Sequence, residues 1–294
     1  MKNPAIKKAF AESEWTPELM DELMLCQYDP IHCIKTYVKV QHPTKGVVPF
    51  NLYDYQEEVI RALVENRCVC VLQARQTGKT ITIAIFLMWY SMFTDDKLIL
   101  IASKSNAHAI EIMDRIRFAY EEMPAWLKPG VKYYNKHQIC FDNGSRIVCE
   151  ATTEKTGRGL SPSKIYLDEL AFINPRVQKG LWSSLVPSLS TGGSFIISST
   201  PNGDTDLFAT IWRQAMAEIS LFKAIYIPWY RHPERAQQYW DEMMIELGEL
   251  VCRQEVGCCG AETSINISIN GNVQNTTIGD LYDFLDKRQN QICD

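Results

Sequence analysis

Short apolar runs alternate with longer amphipathic segments along most of the 294-residue chain. The apolar runs are rich in Val, Ile, Leu and Cys, which is typical of buried parallel strands. They occupy positions 68–73, 97–103, 164–170, 194–200 and 221–227. The segments between them carry apolar residues at helical spacing. We therefore predict an α/β fold with a mostly parallel central sheet flanked by helices.

Cap and turn residues predict where several elements begin or reverse. Thr16 followed by Pro17 is typical of a helix start, so the N-terminal segment is expected to be helical. Asn143-Gly144 lies between alternating apolar residues and predicts a β-hairpin. Further helices are predicted from about positions 54, 174 and 204.

The composition indicates a soluble protein with a substantial core, since 46% of the residues are hydrophobic and 22% are charged. No apolar run is long enough to span a bilayer, and the first residues do not resemble a signal peptide. The net charge of −5 excludes a globally basic surface, so any contact with nucleic acid would be local.

The ten cysteines are scattered and include no paired CxxC spacing. The pattern therefore predicts neither a zinc site nor a disulfide framework, and it favours a reducing cytoplasm.

A phosphate-binding loop is predicted between the first apolar run and the helix that follows it. The stretch QARQTGKT matches the Walker A pattern at Gly78, Lys79 and Thr80, but Gln73 replaces its first glycine. Lys79 would neutralise the β- and γ-phosphates, and the Thr80 hydroxyl would bind Mg²⁺. The backbone of the loop would surround the phosphates, including Ala74, Gln76 and Thr77. The alternative is a chance GKT in an ordinary loop.

An acidic pair ends the apolar run at 164–170. Asp168 is expected to hold Mg²⁺ through water, and Glu169 to act as the general base that activates water. Acids at the end of a buried strand need a cation or polar partners. The alternative is a solvated acid pair at the end of a strand.

Two further stretches fit a nucleotide site. Gln56 precedes the first apolar run, where its amide could read an adenine edge; an ordinary surface glutamine is the alternative. Ser199, Thr200 and Asn202 belong to the polar stretch that ends the apolar run at 194–200, and they could sense the γ-phosphate unless they form a plain turn.

In this order and spacing, Gln56, ARQTGKT, IYLDELAFI and STPNG resemble the ATPase domain of the large terminase subunit of tailed bacteriophages. The resemblance covers roughly residues 40–257. It implies a P-loop NTPase of the additional-strand, catalytic-glutamate class that hydrolyses ATP with Mg²⁺ to package DNA. It also implies a phosphate-contacting role for Arg75 and a coupling role for Thr200 to Gly203. Arg158 is a weaker arginine candidate.

The partners implied by the resemblance are double-stranded DNA, the portal and the small terminase subunit, in an oligomeric assembly in the host cytoplasm. Terminase large subunits usually continue into an RNase H-like nuclease, and residues 258–294 do not have that character. Two other interpretations stay open. One is a helicase-like nucleic-acid motor, and the other is a nucleotide-binding scaffold that does not hydrolyse ATP.

The stretch CCGAETSINI resembles the first block of an intein. In that block Cys258 is the nucleophile, followed by Glu262 and Thr263, and the splice junction lies between Gly257 and Cys258. The Asn270-Gly271 pair that follows predicts a hairpin. The thiol would attack the Gly257 carbonyl to form a thioester.

Together, the terminase and intein resemblances divide the chain into three expected parts. These are a helical segment at 1–40, an ATPase domain at 41–257, and a β-rich N-terminal fragment of a split intein at 258–294. The partner would be a C-terminal intein fragment that carries the nuclease and supplies the missing histidine. The alternative is a hairpin and terminal helix that belong to the ATPase itself.

Overall fold

The computed structural model describes residues 3–203, 205–257, 264–269 and 272–277. The helices are α1 (Pro17–Tyr28), α2 (Pro30–Tyr37), α3 (Asp54–Glu65), α4 (Lys79–Phe93), α5 (Asn106–Glu122), α6 (Pro175–Leu185), α7 (Leu207–Met216), α8 (Gln237–Leu247) and α9 (Glu249–Glu255). The strands are β1 (Lys39–His42), β2 (Gly46–Pro49), β3 (Cys68–Gln73), β4 (Leu98–Ser103), β5 (Val131–Tyr134), β6 (Gln138–Phe141), β7 (Arg146–Ala151), β8 (Lys164–Asp168), β9 (Ser194–Ser199), β10 (Phe222–Ile227), β11 (Ser264–Ile269) and β12 (Asn272–Thr277).

The central sheet has eight strands in the order β10-β3-β9-β8-β4-β7-β6-β5. Neighbours from β10 through β7 are parallel, whereas β6 and β5 are added in antiparallel orientation. The predicted mostly parallel sheet is therefore confirmed, with a mixed edge that the pattern did not predict. The hairpin expected at Asn143-Gly144 joins β6 to β7, and Gly144 has φ +84°.

Strand β9 lies between β3, which leads into the phosphate loop, and β8, which carries the acidic pair. An additional strand at this place fits the class predicted from the sequence. The parallel arrangement brings the carboxyl ends of all three strands to the same edge, and this edge is where ligands bind in open α/β sheets.

The two faces of the sheet contribute to two hydrophobic cores, because successive side chains of a strand point to opposite faces. In β3, Val69 and Val71 belong to one core, together with the buried faces of α3, α4 and α5. Cys68 and Cys70 belong to the other, with α6 and α7. Helix α1 adds Cys26 and α2 adds Cys33 to the first core, so the N-terminal helices pack on the same side as α4.

Most of the predicted helix starts agree with the structure. Thr16 caps α1 through its hydroxyl, Asn174 caps α6, and α3 begins at Asp54. Helix α7 begins later than expected, because Asp206 rather than position 204 supplies the capping carboxylate. The short β1–β2 hairpin was not predicted.

The hairpin expected around Asn270-Gly271 is confirmed by the pairing of β11 with β12, where Ile269 lies opposite Asn272. These two strands form a sheet of their own. Cys258, Glu262 and Thr263, and the helix expected near the C-terminus, lie outside the described residues. Within the described part of the chain, no helix is both long and apolar enough to cross a bilayer.

Candidate nucleotide-binding site

The phosphate loop connects β3 to α4, and Gln73 supports it at the place where the Walker A pattern has glycine. The Gln73 side chain is buried, and its Nε2 donates to the Thr77 carbonyl at 3.1 Å and to the Thr77 hydroxyl at 2.8 Å. The Thr77 hydroxyl donates in turn to the Ala74 carbonyl at 2.6 Å. The glutamine therefore closes the loop with its side chain.

The end of the loop requires glycine at Gly78. This residue caps α4 with φ +79°, a left-handed conformation that glycine adopts without strain. A Cβ here would lie 2.5 Å from the Nε2 of Gln56. Gln56 is 3% exposed, and its Oε1 accepts the Tyr53 backbone N–H at 3.0 Å. Gln56 is thus a buried neighbour of the loop, and its adenine-reading role stays a prediction.

The two halves of the predicted site meet at Lys79 and Glu169. The Nζ of Lys79 lies 2.9 Å from the Oε1 of Glu169, and the lysine side chain is only 7% exposed. The next residue of the helix, Thr80, directs its hydroxyl toward the Oδ1 of Asp168 at 3.5 Å. Residues separated by about ninety positions in the chain thus form one cluster at the edge of the sheet.

Asp168 is surrounded by hydroxyl groups. Tyr166 donates to its Oδ1 at 2.6 Å and Ser198 at 3.2 Å, while Ser103 lies 3.5 Å from Oδ2. Burial raises the pKa of the Asp168 carboxyl, and the charge of Glu169 adds to this effect, although Lys79 and the hydrogen bonds oppose it. Asp168 therefore holds its charge at a cost that a bound cation would relieve.

Glu169 has a left-handed backbone, with φ +53°. This conformation is uncommon for residues with a side chain, and such strain clusters at functional sites. Its Oε2 accepts from the Ser199 hydroxyl at 3.3 Å and the Thr200 N–H at 3.4 Å. Burial opposes ionisation of Glu169, but the Lys79 ammonium and these hydrogen bonds outweigh it and lower the pKa of Glu169.

The last residue of β9 and the segment after it contact the turn that follows Glu169. The Ser199 hydroxyl accepts from the Ala171 N–H at 3.3 Å, and Asn202 Nδ2 donates to the Ala171 carbonyl at 3.1 Å. The structure therefore brings Ser199, Thr200 and Asn202 next to the acidic pair.

Arg75 lies in the phosphate loop with its side chain more than half exposed, and it pairs with Glu255 of α9. Its backbone N–H donates to the Glu255 carbonyl at 3.1 Å. Arg235 donates to the carbonyls of Arg75 and Gln76 at 3.0 and 2.9 Å. Glu255 and Arg235 were not predicted, because no local pattern marks residues that reach the loop from so far along the chain. The weaker candidate Arg158 is exposed.

The residues expected to hold Mg²⁺ fit such an ion. The Thr80 hydroxyl and the Asp168 carboxylate supply adjacent oxygen atoms, and magnesium prefers oxygen ligands from one or two protein groups with waters and phosphates.

Gly257 is buried beside β10. Its carbonyl accepts from the Tyr226 hydroxyl at 3.2 Å, and its N–H donates to the Cys252 carbonyl at 2.9 Å. The last described residue before the expected splice junction is therefore fixed against the central sheet.

The sheet order, the phosphate loop and the acidic pair together define a protein of the P-loop nucleotide-binding class. The sequence model of one family, the terminase large subunit of T4-like-virus type, N-terminal, matches residues 70–258. This match covers more than half of the chain, and the chain belongs to that family.

Solved structures of large terminases share the fold. The large terminase ATPase domain of Thermus phage P74-26 is 19% identical, with a TM-score of 0.59, over 71% of this chain and 94% of that one. The bacteriophage HK97 large terminase is 16% identical, with a TM-score of 0.63, over 82% of this chain and 56% of that one. A large terminase from a thermophilic bacteriophage, in complex with ADP, is 13% identical, with a TM-score of 0.56, over 70% and 52%. The match thus spans about half of the two longer chains.

Proposed function

We propose that this chain is the ATP-hydrolysing motor domain of a phage terminase large subunit, which drives double-stranded DNA into a procapsid. The meeting of Lys79 and Glu169, 2.9 Å apart, carries the proposal. It brings a phosphate-binding lysine and a candidate base to one point at the ligand-binding edge of the sheet. Membership of the terminase family supports the same function.

In this proposal the phosphate loop binds ATP. Its backbone N–H groups and the N-terminus of α4 attract the phosphates, and Lys79 neutralises the β- and γ-phosphates. Thr80 and Asp168 would hold Mg²⁺, which when bound supplies positive charge to the phosphate oxygens.

Glu169 accepts the proton of the attacking water. As the water oxygen bonds to the γ-phosphorus, the bond from that phosphorus to the bridging oxygen of ADP breaks, and ADP and phosphate leave. The proposal also gives the Lys79–Glu169 pair a use. Incoming phosphates compete for the Lys79 ammonium. Once the ammonium pairs with the phosphates it lowers the pKa of Glu169 less, so Glu169 becomes a stronger base.

The coupling role of the end of β9 and the segment after it rests on the hydrogen bonds of Ser199 and Thr200 to Glu169. When the γ-phosphate departs, Lys79 pairs with Glu169 again. A movement of the Glu169 carboxylate would then shift Ser199 and Thr200, which donate hydrogen bonds to it. Asn202 extends this shift through the turn at Ala171. DNA would be held through its phosphates, so its affinity should fall with salt.

By the family, the partners are the portal and the small terminase subunit, in an assembly of several copies. Two arginines are candidates to stabilise the transition state. One is Arg75, and the other is an arginine from a neighbouring copy.

An ATPase assay on the full chain tests the proposal, with ATP binding measured separately. Glu169→Gln should lower turnover by about 10²- to 10⁴-fold while ATP binding is retained, because only the base is lost. Lys79→Ala should lose binding as well. Glu111→Gln, on the exposed face of α5, is the matched control and should behave like wild type.

Equal turnover in wild type and Glu169→Gln would remove the motor proposal. Binding of ATP without hydrolysis above background in the wild type would instead leave a nucleotide-binding scaffold.

A second candidate activity is protein splicing in trans, and one observation favours it. The terminase family match ends at residue 258, which is the first residue of the intein-like block. In this proposal the Cys258 thiolate attacks the Gly257 carbonyl carbon, the peptide C–N bond breaks, and the released amine takes a proton. The product is a thioester. Glu262 and Thr263 belong to the same block, and a C-terminal intein fragment bearing a nuclease is the partner.

Mixing the full chain with a candidate C-terminal intein fragment under reducing conditions tests splicing, with the product followed by mass. A ligated product is expected in the wild type and in Cys252→Ser, and none in Cys258→Ala. Ligation that persists in Cys258→Ala would exclude this nucleophile, and no product from any tested partner would count against splicing.

A further inference from the structure

A second group of chemically reactive side chains lies where α1 meets α2, outside the nucleotide site. Glu22, Cys26 and His32 each offer one donor atom, and these three atoms lie within 4.8 Å of one another. The Nε2 of His32 is 2.7 Å from the Oε1 of Glu22, and the Sγ of Cys26 is 3.7 Å from the same oxygen.

The local sequence explains why the three residues converge. Glu22 and Cys26 are four positions apart on α1, so their side chains lie on one face of the helix. Asp29 is the only residue between the two helices, and its carboxylate caps α2 by accepting the Ile31 and His32 N–H groups. The tight turn directs the first turn of α2 back toward α1, and His32 then faces Glu22.

We propose that Glu22, Cys26 and His32 bind a zinc ion. A thiolate, an imidazole and a carboxylate are all common zinc ligands, and thiolate with imidazole favours zinc over magnesium or calcium. Zinc–ligand bonds of about 2.0–2.3 Å in a tetrahedron separate the donors by roughly 3.3–3.8 Å. The Cys26–Glu22 separation of 3.7 Å lies in this range, the His32–Glu22 separation of 2.7 Å is shorter, and all three donors lie within 4.8 Å of one another. Binding an ion would therefore require the His32 ring and the Glu22 carboxylate to move apart.

The surroundings suit a three-ligand site. Cys26 is fully buried, whereas the side chains of His32 and Glu22 are 31% and 27% exposed, so the cluster lies at the edge of the core with two of its three residues in contact with solvent. The Tyr37 hydroxyl donates to Glu22 Oε1 at 3.0 Å and orients the carboxylate from outside the site. Thiolate and carboxylate together balance the charge of Zn²⁺.

The bound ion would join α1 to α2, and α2 in turn packs through Cys33 on the core that contains α4. Zinc would therefore stabilise the attachment of the N-terminal helices. The sequence showed no paired CxxC spacing, and this site needs none, because the third ligand comes from the neighbouring helix.

The test uses the full chain, reduced, stripped with chelator and titrated with Zn²⁺ against a competing indicator that suppresses weak thiol binding. Wild type should take up one tightly bound ion, and thermal unfolding should shift upward with zinc. Co²⁺ in its place should give the visible bands of a tetrahedral site and a near-ultraviolet thiolate band. His32→Gln and Cys26→Ser should each lower zinc affinity by about 100-fold or more.

Cys33→Ser is the matched control, because this thiol is buried in the same core as Cys26 but is not among the three donors. It should keep the tight ion. His32→Gln changes a partly exposed residue, so it remains informative if Cys26→Ser fails to fold. Equal zinc affinity in wild type and His32→Gln, or loss of the ion in Cys33→Ser with retention in Cys26→Ser, would overturn the proposal.

Discussion

Glu255 of α9 holds Arg75 of the phosphate loop at two places. Its carboxylate pairs with the guanidinium, and its backbone carbonyl accepts the Arg75 N–H. The same carboxylate accepts the Thr200 hydroxyl at 3.3 Å. One glutamate from the end of the ATPase region thus connects the phosphate loop to the segment after β9.

This connection predicts that Glu255 competes with nucleotide for Arg75. In Glu255→Gln the charge is removed and the guanidinium is free to turn toward the phosphates. The KM for ATP should fall by about two- to fivefold, which corresponds to an ion pair of up to about 1 kcal/mol at a partly exposed position. Steady-state ATPase assays at low salt measure the effect.

Glu249→Gln is the control for Glu255→Gln, since Glu249 pairs with an arginine of its own helix. Combining Glu255→Gln with Arg75→Ala should abolish the gain, because the two residues act through one contact. An unchanged KM in Glu255→Gln would contradict the competition.

Gln73 is predicted to be needed for a closed phosphate loop. Gln73→Ala removes two hydrogen bonds to Thr77, each worth about 0.5–1.5 kcal/mol, and leaves the Thr77 carbonyl with the Tyr55 hydroxyl as a remaining partner. ATP affinity should fall by about threefold to thirtyfold, measured by equilibrium titration. Gln41→Ala, at an exposed position of β1, should leave it unchanged, and equal affinity in both variants would show that the loop closes without the glutamine.

The Asp168 carboxylate is predicted to lower the stability of the metal-free protein while it is needed for metal binding. Burial raises the pKa of Asp168 above its value of 3.8 in the unfolded chain. The native state therefore loses stability as the pH rises from the unfolded pKa through the higher folded pKa and the buried carboxyl ionises. Asp168→Asn should therefore increase the free energy of unfolding at neutral pH in chelator by about 0.5–2 kcal/mol, while Mg²⁺-dependent ATP hydrolysis is lost. Denaturant titration measures the first effect. A less stable variant would show that the hydroxyl groups favour the charged carboxylate.

The burial of Lys164, at the opposite end of β8 from Asp168, predicts a second pH dependence of stability. Burial lowers its pKa from 10.5 to about 8, although Ser194 accepts a hydrogen bond and the Tyr90 ring lies 4.7 Å from its ammonium. Between about pH 8 and 10.5 the unfolded chain binds a proton that the native protein does not, so wild-type stability rises with pH in that window.

Lys164→Met should accordingly be more stable than wild type at pH 7, by about 1–3 kcal/mol, and the difference should shrink toward about pH 10. Denaturant titrations at several pH values check this. A constant difference would mean that packing, rather than the buried charge, separates the two proteins.

The parts of this structure that local signals specify were predictable. Strand β3, the phosphate loop and α4 follow one another in the chain, and the acidic pair lies at the end of its own buried strand. The hairpin at Asn143-Gly144 and the caps at Thr16 and Asn174 are set by a few adjacent residues.

Contacts between distant segments were not predictable in the same way. Glu255 reaches Arg75 across 180 positions, and nothing near either residue marks the pair. Gln56 could be placed before β3, but its burial depends on how α3 packs on the loop. The antiparallel strands β5 and β6 extend the sheet only because β7 offers an open edge there.

The short distance along the chain from Glu255 to Gly257 has a mechanical consequence. The Gly257 carbonyl accepts a hydrogen bond from Tyr226 of β10, and Glu255, two residues earlier, forms an ion pair with Arg75 of the phosphate loop. Tension applied to the polypeptide beyond Gly257 would be transmitted first to these contacts rather than to the hydrophobic cores. A load at that point would therefore act directly on the loop between β3 and α4.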